Sequence, residues 1–114
     1  MQVISTQTAE RYTWADSCDG WHLLRSDEVS VIQEKMPPKS SEASHFHARS
    51  RQFFYVLSGT LTIVMDGSTH TIGTEQGLEI PPKTVHRVFN DGESEVRFLV
   101  VSAPPSHGDR TIVT

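Results

Sequence analysis

The sequence predicts an all-β domain, an antiparallel sandwich or barrel. Three observations carry that prediction. Short runs rich in β-branched and aromatic residues recur from Val29 to Ser102, each bounded by Gly, Pro, Ser or Asp. Asp66-Gly67 sits between two such runs and suits the positive φ angles of a type I′ hairpin turn. Helical periodicity is nearly absent: the only candidate is Thr6–Tyr12, which reads equally well as an extended arm.

The elements follow in order. Residues 1–28 hold fewer strand signals, and Tyr12, Trp14 and Trp21 lie close together there. They are expected to form an N-terminal arm anchored on the barrel by its aromatic rings. The barrel itself is expected over residues 29–103. Its runs are Val29–Lys35, Ser44–Ala48, Gln52–Leu57, Leu61–Met65, Thr69–Ile72, Leu78–Ile80, Thr84–Phe89 and Val96–Ser102. The breakers are Pro37-Pro38, Ser58-Gly59, Asp66-Gly67, Gly73, Gly77, Pro81-Pro82, Asn90-Asp91-Gly92 and Pro104-Pro105. Residues 104–114 are expected as a C-terminal arm, with a short strand at Thr111–Val113.

Strand parity assigns faces. Side chains alternate across a strand, so His45 and His47 share one face and Phe46 takes the other. If Gln52 shares the histidine face, Phe54 and Val56 do too, and Phe53, Tyr55 and Leu57 point away. A strand apolar on both faces is expected to be covered on both, by the N-terminal arm or by another subunit.

Bulk properties narrow the function classes. The 114 residues make one domain, and 36% hydrophobic with 21% charged residues is a globular composition. The formal charge is −4 and no run of Lys or Arg appears, so neither a nucleic acid nor an anionic membrane is the expected partner. A small-molecule ligand or substrate is. Cys18 is the single cysteine, so an internal disulfide is impossible. The first residues lack a basic-then-apolar signal, and no apolar run approaches the ~20 residues of a membrane span. A cytoplasmic location is expected.

The chemistry concentrates in the histidines. Of six, His45 and His47 stand at i, i+2, which on a strand aims two imidazoles into one space. Gln52 follows, then Gly59, and beyond the hairpin come Pro81, Lys83, His86 and Asn90. This series resembles the two motifs of the cupin superfamily. The first is His-x-His, three or four residues, Glu, six residues, Gly. The second runs from a Gly through Pro-x-Gly, two residues, His, three residues, Asn. The chain departs from them in having Gln52 for Glu, Lys83 for the second motif's inner Gly and Glu75 for its leading Gly.

The resemblance spans about residues 29–103. It implies a double-stranded β-helix (jelly-roll, cupin) barrel with one divalent metal held by His45, His47, Gln52 and His86. Gln52 either ligates through its carbonyl or hydrogen-bonds a bound water or a neighbouring histidine. With Gln in place of Glu the site keeps the full +2 charge, so a bound water is more acidic and an anionic oxygen binds more strongly. Three imidazoles suit Zn, Fe, Ni, Cu or Co, and the loss of the carboxylate makes Mn a poorer fit.

Phe54 and Val56 are candidate pocket walls. His107 belongs to a Pro104–Arg110 segment that reads either as a surface turn or as a lid bringing His107, Asp109 or Arg110 to the site. Arg49 and Arg51 read as solvated loop charges, and His70 as a solvated strand residue. The resemblance implies a metal-dependent enzyme of dioxygenase, isomerase or lyase type, acting on a small oxygen-bearing metabolite. The metal would serve as Lewis acid or O2 site. The alternative is a cupin that binds a sugar or metabolite without turnover. A homodimer is implied as well.

Overall fold

The computed structural model describes residues 2–114. It contains twelve strands and no helix among those residues: β1 Glu10–Trp14, β2 Cys18–Arg25, β3 Ser30–Met36, β4 Ser40–Ser41, β5 His45–Phe46, β6 Arg51–Ser58, β7 Leu61–Met65, β8 Ser68–Ile72, β9 Gly77–Ile80, β10 His86–Asn90, β11 Val96–Ala103 and β12 Thr111–Ile112. All pairings are antiparallel. One sheet runs β1-β2-β3-β11-β6-β9, and the facing sheet runs β12-β5-β10-β7-β8 with β4 added on β10. The two close into the double-stranded β-helix expected from the motifs.

Between residues 29 and 103 the ends of every predicted run lie within two residues of a strand, and β4 at Ser40–Ser41 is an addition. The largest difference lies in the first 28 residues. The helical reading of Thr6–Tyr12 fails: residues 6–8 form a turn and β1 starts at Glu10. β1 and β2 pair as a hairpin, and β2 pairs with β3 from Asp19↔Lys35 to Arg25↔Ser30. The segment therefore continues the sheet sideways, with Trp14 edge-on to Phe98 at 6.4 Å between ring centres. Because it extends the sheet, it leaves the outer face of β6 open, and Phe53 and Leu57 remain 43% and 38% exposed.

Asp66 (φ 50°) and Gly67 (φ 79°) join Met65 and Ser68 as a two-residue turn with both φ angles positive. Gly59 is also left-handed, and a Cβ there would stand 2.6 Å from the Glu95 carbonyl oxygen, so the position needs glycine. Glu75 (φ 64°) and Lys83 (φ 67°) occupy the two places where the second motif carries Gly, and both are left-handed. Side chains pay a conformational penalty there.

The core fills one half of the barrel. Met36, Val56, Leu61, Ile63, Val96 and Phe98 are fully buried in it. Asn90, the last motif residue, is 2% exposed. Its amide donates to the Met36, Pro37 and Ser94 carbonyls at 3.1, 3.2 and 2.9 Å. Asn90 thus pins two loops at the core end. The other half of the barrel is hollow.

Candidate metal centre

That hollow is a cavity of about 710 Å3, within the range of small-molecule sites. Three rungs of the larger sheet line it, set by register. Ser102 pairs with both Gln52 and Ser30, Val100 with Phe54 and Ile32, and Phe98 with Val56 and Glu34. The first rung is polar and the second apolar. On the third, Glu34 reaches the cavity while Val56 and Phe98 are buried in the core.

Opposite the polar rung, β5 and β10 bring the histidines together. His45 and His86 are register partners, and parity places His47 on the same side. The three are 4%, 5% and 2% exposed. One ring nitrogen from each lies within 4.8 Å of the others. Each Nδ1–H donates to a backbone carbonyl: His45 to Ala43 at 2.8 Å, His47 to Asp109 at 2.5 Å, His86 to Thr84 at 2.9 Å. A ring that donates through Nδ1 carries its free lone pair on Nε2. Nε2 of His47 and of His86 is buried with no hydrogen-bond partner.

Gln52 repeats the pattern. Its amide nitrogen donates to Ser102 Oγ at 3.1 Å, and its buried Oε1 has no partner. An unpartnered buried acceptor costs about 1–3 kcal/mol, and three stand in this one site. A divalent cation accepts such lone pairs, so the donor set fits one. Three neutral imidazoles suit a borderline transition metal. Burial pushes the His45 imidazole down to about 3 and lowers that of His86, so both stay neutral and able to ligate.

The remaining candidates separate. Phe54 and His107 line the cavity, joined by His22 of β2, which the sequence does not mark as a site residue. Val56 shares Phe54's face one rung deeper and sits in the core, off the cavity wall. His70 lies on β8, off the cavity wall. Arg51 pairs with Glu79 on the outside.

Pro104–Arg110 folds back across the site. Asp109 accepts from the Ala48, Arg49 and Ser50 amides at 2.8, 2.9 and 2.9 Å, while its own carbonyl holds His47. β12 then pairs with β5, Ile112 opposite His45. These contacts tie the segment down on the loop that carries His47.

Among the polar groups on the cavity wall that were not predicted are Glu42, Glu34 and Tyr12. Glu42 follows β4, and its side chain is 11% exposed. It accepts from the Val88 amide at 3.1 Å and lies 3.8 Å from His45 Nδ1 and 3.7 Å from Arg110 Nη2. Burial, reinforced by the charge of Glu34, pushes its carboxyl up to about 8. Glu34 accepts from Tyr12 Oη at 2.6 Å, and burial pushes it up to about 7 against that bond. Only strand parity marks Glu34 as inward, and nothing local marks Tyr12 or Glu42.

A family model described as "Cupin domain" matches residues 32–102. The polyketide synthase CurC of Streptomyces cyaneus is 36% identical over 69 residues, 60% of this chain and 45% of that protein. An uncharacterized protein of Methanocaldococcus jannaschii is 31% identical over 93 residues, 81% of this chain and 74% of the other. The chain thus spans less than half the length of CurC. Among solved structures, the polyketide cyclase RemF of Streptomyces resistomycificus superposes with a TM-score of 0.82 at 22% identity, over 100% of this chain and 86% of that one.

Proposed function

Because the chain belongs to the cupin domain family, we propose that it is a metal-dependent enzyme acting on a small oxygen-bearing metabolite, with His45, His47, His86 and Gln52 as metal ligands. The observation that carries this reading is the cluster of three buried imidazoles, two of them with unpartnered Nε2 atoms, beside a cavity wall that also carries the unpartnered Oε1 of Gln52. A bound divalent ion would supply Lewis-acid polarisation of a substrate oxygen, or an O2 site if it were iron, nickel or copper. Around a five- or six-coordinate ion, three protein nitrogens and one amide oxygen would leave one or two positions free for a substrate oxygen.

The chain's own groups favour proton transfer over simple storage. Glu42 lines the cavity beside His45 with its carboxyl raised towards neutrality, where a group can both take and give a proton. Arg110 stands beside Glu42 and can balance negative charge on a substrate. The backbone carbonyls that hold each Nδ1–H fix the tautomers, so the imidazoles present lone pairs to the site. Likeness to a polyketide synthase and to the fold of a polyketide cyclase supports enolisable carbonyl compounds as the substrate type.

The test is metal analysis of protein purified without a polyhistidine tag, beside His45→Ala and His86→Ala. One metal per chain, lost in both variants, is expected. Wild-type protein without metal, or variants retaining it in full, overturns the assignment. The catalytic half is tested by exchange of the acidic C–H of aromatic 1,3-dicarbonyl compounds in D2O. Equal rates for the metal-loaded wild type and His86→Ala would refute it. The open face of Phe53, Tyr55 and Leu57 supports a homodimer. Sedimentation showing only monomer for wild type, with no change in Phe53→Asp, would exclude that interface.

A further inference from the structure

The cavity has a second polar end. Along β3 the inward residues are Ser30, Ile32 and Glu34, matched on β11 by Ser102, Val100 and Phe98. Ser30 belongs to the rung of Gln52, at the metal end. Glu34 lies four residues further, about 13 Å along the strand. Between them the wall is apolar, formed by Ile32, Phe54 and Val100. A ligand confined to the histidines would leave this stretch and Glu34 unused.

Glu34 is built into place. Tyr12 Oη donates to its Oε2 at 2.6 Å. Tyr12 can reach there only because Gly20 lies beneath its ring: a Cβ at Gly20 would stand 2.2 Å from the tyrosine Cζ. The other carboxyl oxygen of Glu34 has no hydrogen-bond partner among the described residues, and both side chains line the cavity. A pair of this kind in a core would be closed off by packing, whereas here it opens onto the ligand space.

Resting on the proposed metal-centred function, we infer that Tyr12 and Glu34 form a distal binding station for a hydroxyl group. The ligand is then a molecule with a largely apolar middle, matching the wall of Ile32, Phe54 and Val100. It bears one oxygen at the histidine end and a phenolic or enolic hydroxyl at the other. The charged and titratable groups near Glu34 are Tyr12 from β1, Cys18 from β2, Glu42 from the stretch before β5, and Arg110 from the C-terminal strap. With its carboxyl held near neutrality, Glu34 can accept from a hydroxyl or donate to a phenolate.

The probes are 2,6-dihydroxyanthraquinone, with a hydroxyl at each end, and 2-hydroxyanthraquinone, with one. Binding is followed by tryptophan quenching in metal-loaded protein. Wild type is expected to favour the diol about tenfold, the size of one good hydrogen bond. Glu34→Leu and Tyr12→Phe are expected to abolish that preference while retaining the metal and the affinity for the mono-hydroxy probe. A wild type without the preference, or with no binding of either probe, overturns the inference, and so does a preference that survives in Tyr12→Phe. Metal content is measured on the same samples. Wild type lacking metal refutes the metal-centred function, whereas normal metal content with no diol preference refutes only the distal station.

Discussion

Replacing His86 by leucine separates what the metal site costs the metal-free protein from what it contributes when loaded. In the metal-free chain, His86 Nε2 is a buried acceptor without a partner, in a side chain 2% exposed. Removing it relieves about 1–3 kcal/mol. The same substitution loses the Nδ1–H bond to the Thr84 carbonyl, worth about 1 kcal/mol. The metal-free variant is therefore expected to be as stable as wild type or slightly more so.

The loaded protein behaves differently. A metal at a thousand times its dissociation constant stabilises the fold by about 4 kcal/mol. With 114 residues at about 2.1 cal/mol/K each, the unfolding entropy is about 240 cal/mol/K, so the increment is about 17 °C in Tm. The variant should lose nearly all of it. Calorimetry with and without chelator, at matched free zinc or cobalt, reads both numbers. If His86→Leu destabilises the metal-free form by several kcal/mol, or keeps the metal-dependent rise, the reading of Nε2 as a ligand atom is refuted.

Three further outcomes follow. Asp109→Ala should weaken metal binding about 10–100-fold without unfolding the protein, because the side chain clamps three amides of the loop that carries His47; unchanged affinity in a competition titration would show the strap to be independent of the site. Glu75→Gly and Lys83→Gly should each stabilise by about 1 kcal/mol, since both residues sit at positive φ, and unchanged denaturation midpoints would contradict that. In metal-free protein, His45 takes up protons from about 6.5 when unfolded but only near 3 when folded, so its contribution to stability is lost as pH falls from about 6.5 towards 3. Glu34 and Glu42 work the other way above about 4.5, so the comparison is with His45→Gln, which should lose less stability between pH 7 and pH 4.5; identical losses would refute the assignment.

The sequence by itself determined the parts that depend on near neighbours. Alternation along a strand puts His45 and His47 on one side, and Gln52 and Phe54 together. The Asp66-Gly67 turn follows from two residues that tolerate positive φ. The spacing to His86 completes a motif whose fold then follows. Parity supplies a face but no depth: Phe54 and Val56 share a side, yet only Phe54 reaches the cavity, because the facing sheet fills the barrel at one end and leaves the other hollow.

Other features only the tertiary structure decided. Tyr12 meets Glu34 across 22 residues, and the Asp109 carbonyl meets His47 across 62. No local pattern records such pairs, because long-range strand pairing and the closure of the barrel create them. The first strands are a similar case. Polar, irregular segments such as Glu10–Trp14 become strands because the edge of β3 offers β2 a row of unpaired amides and carbonyls, and β2 then offers its own free edge to β1.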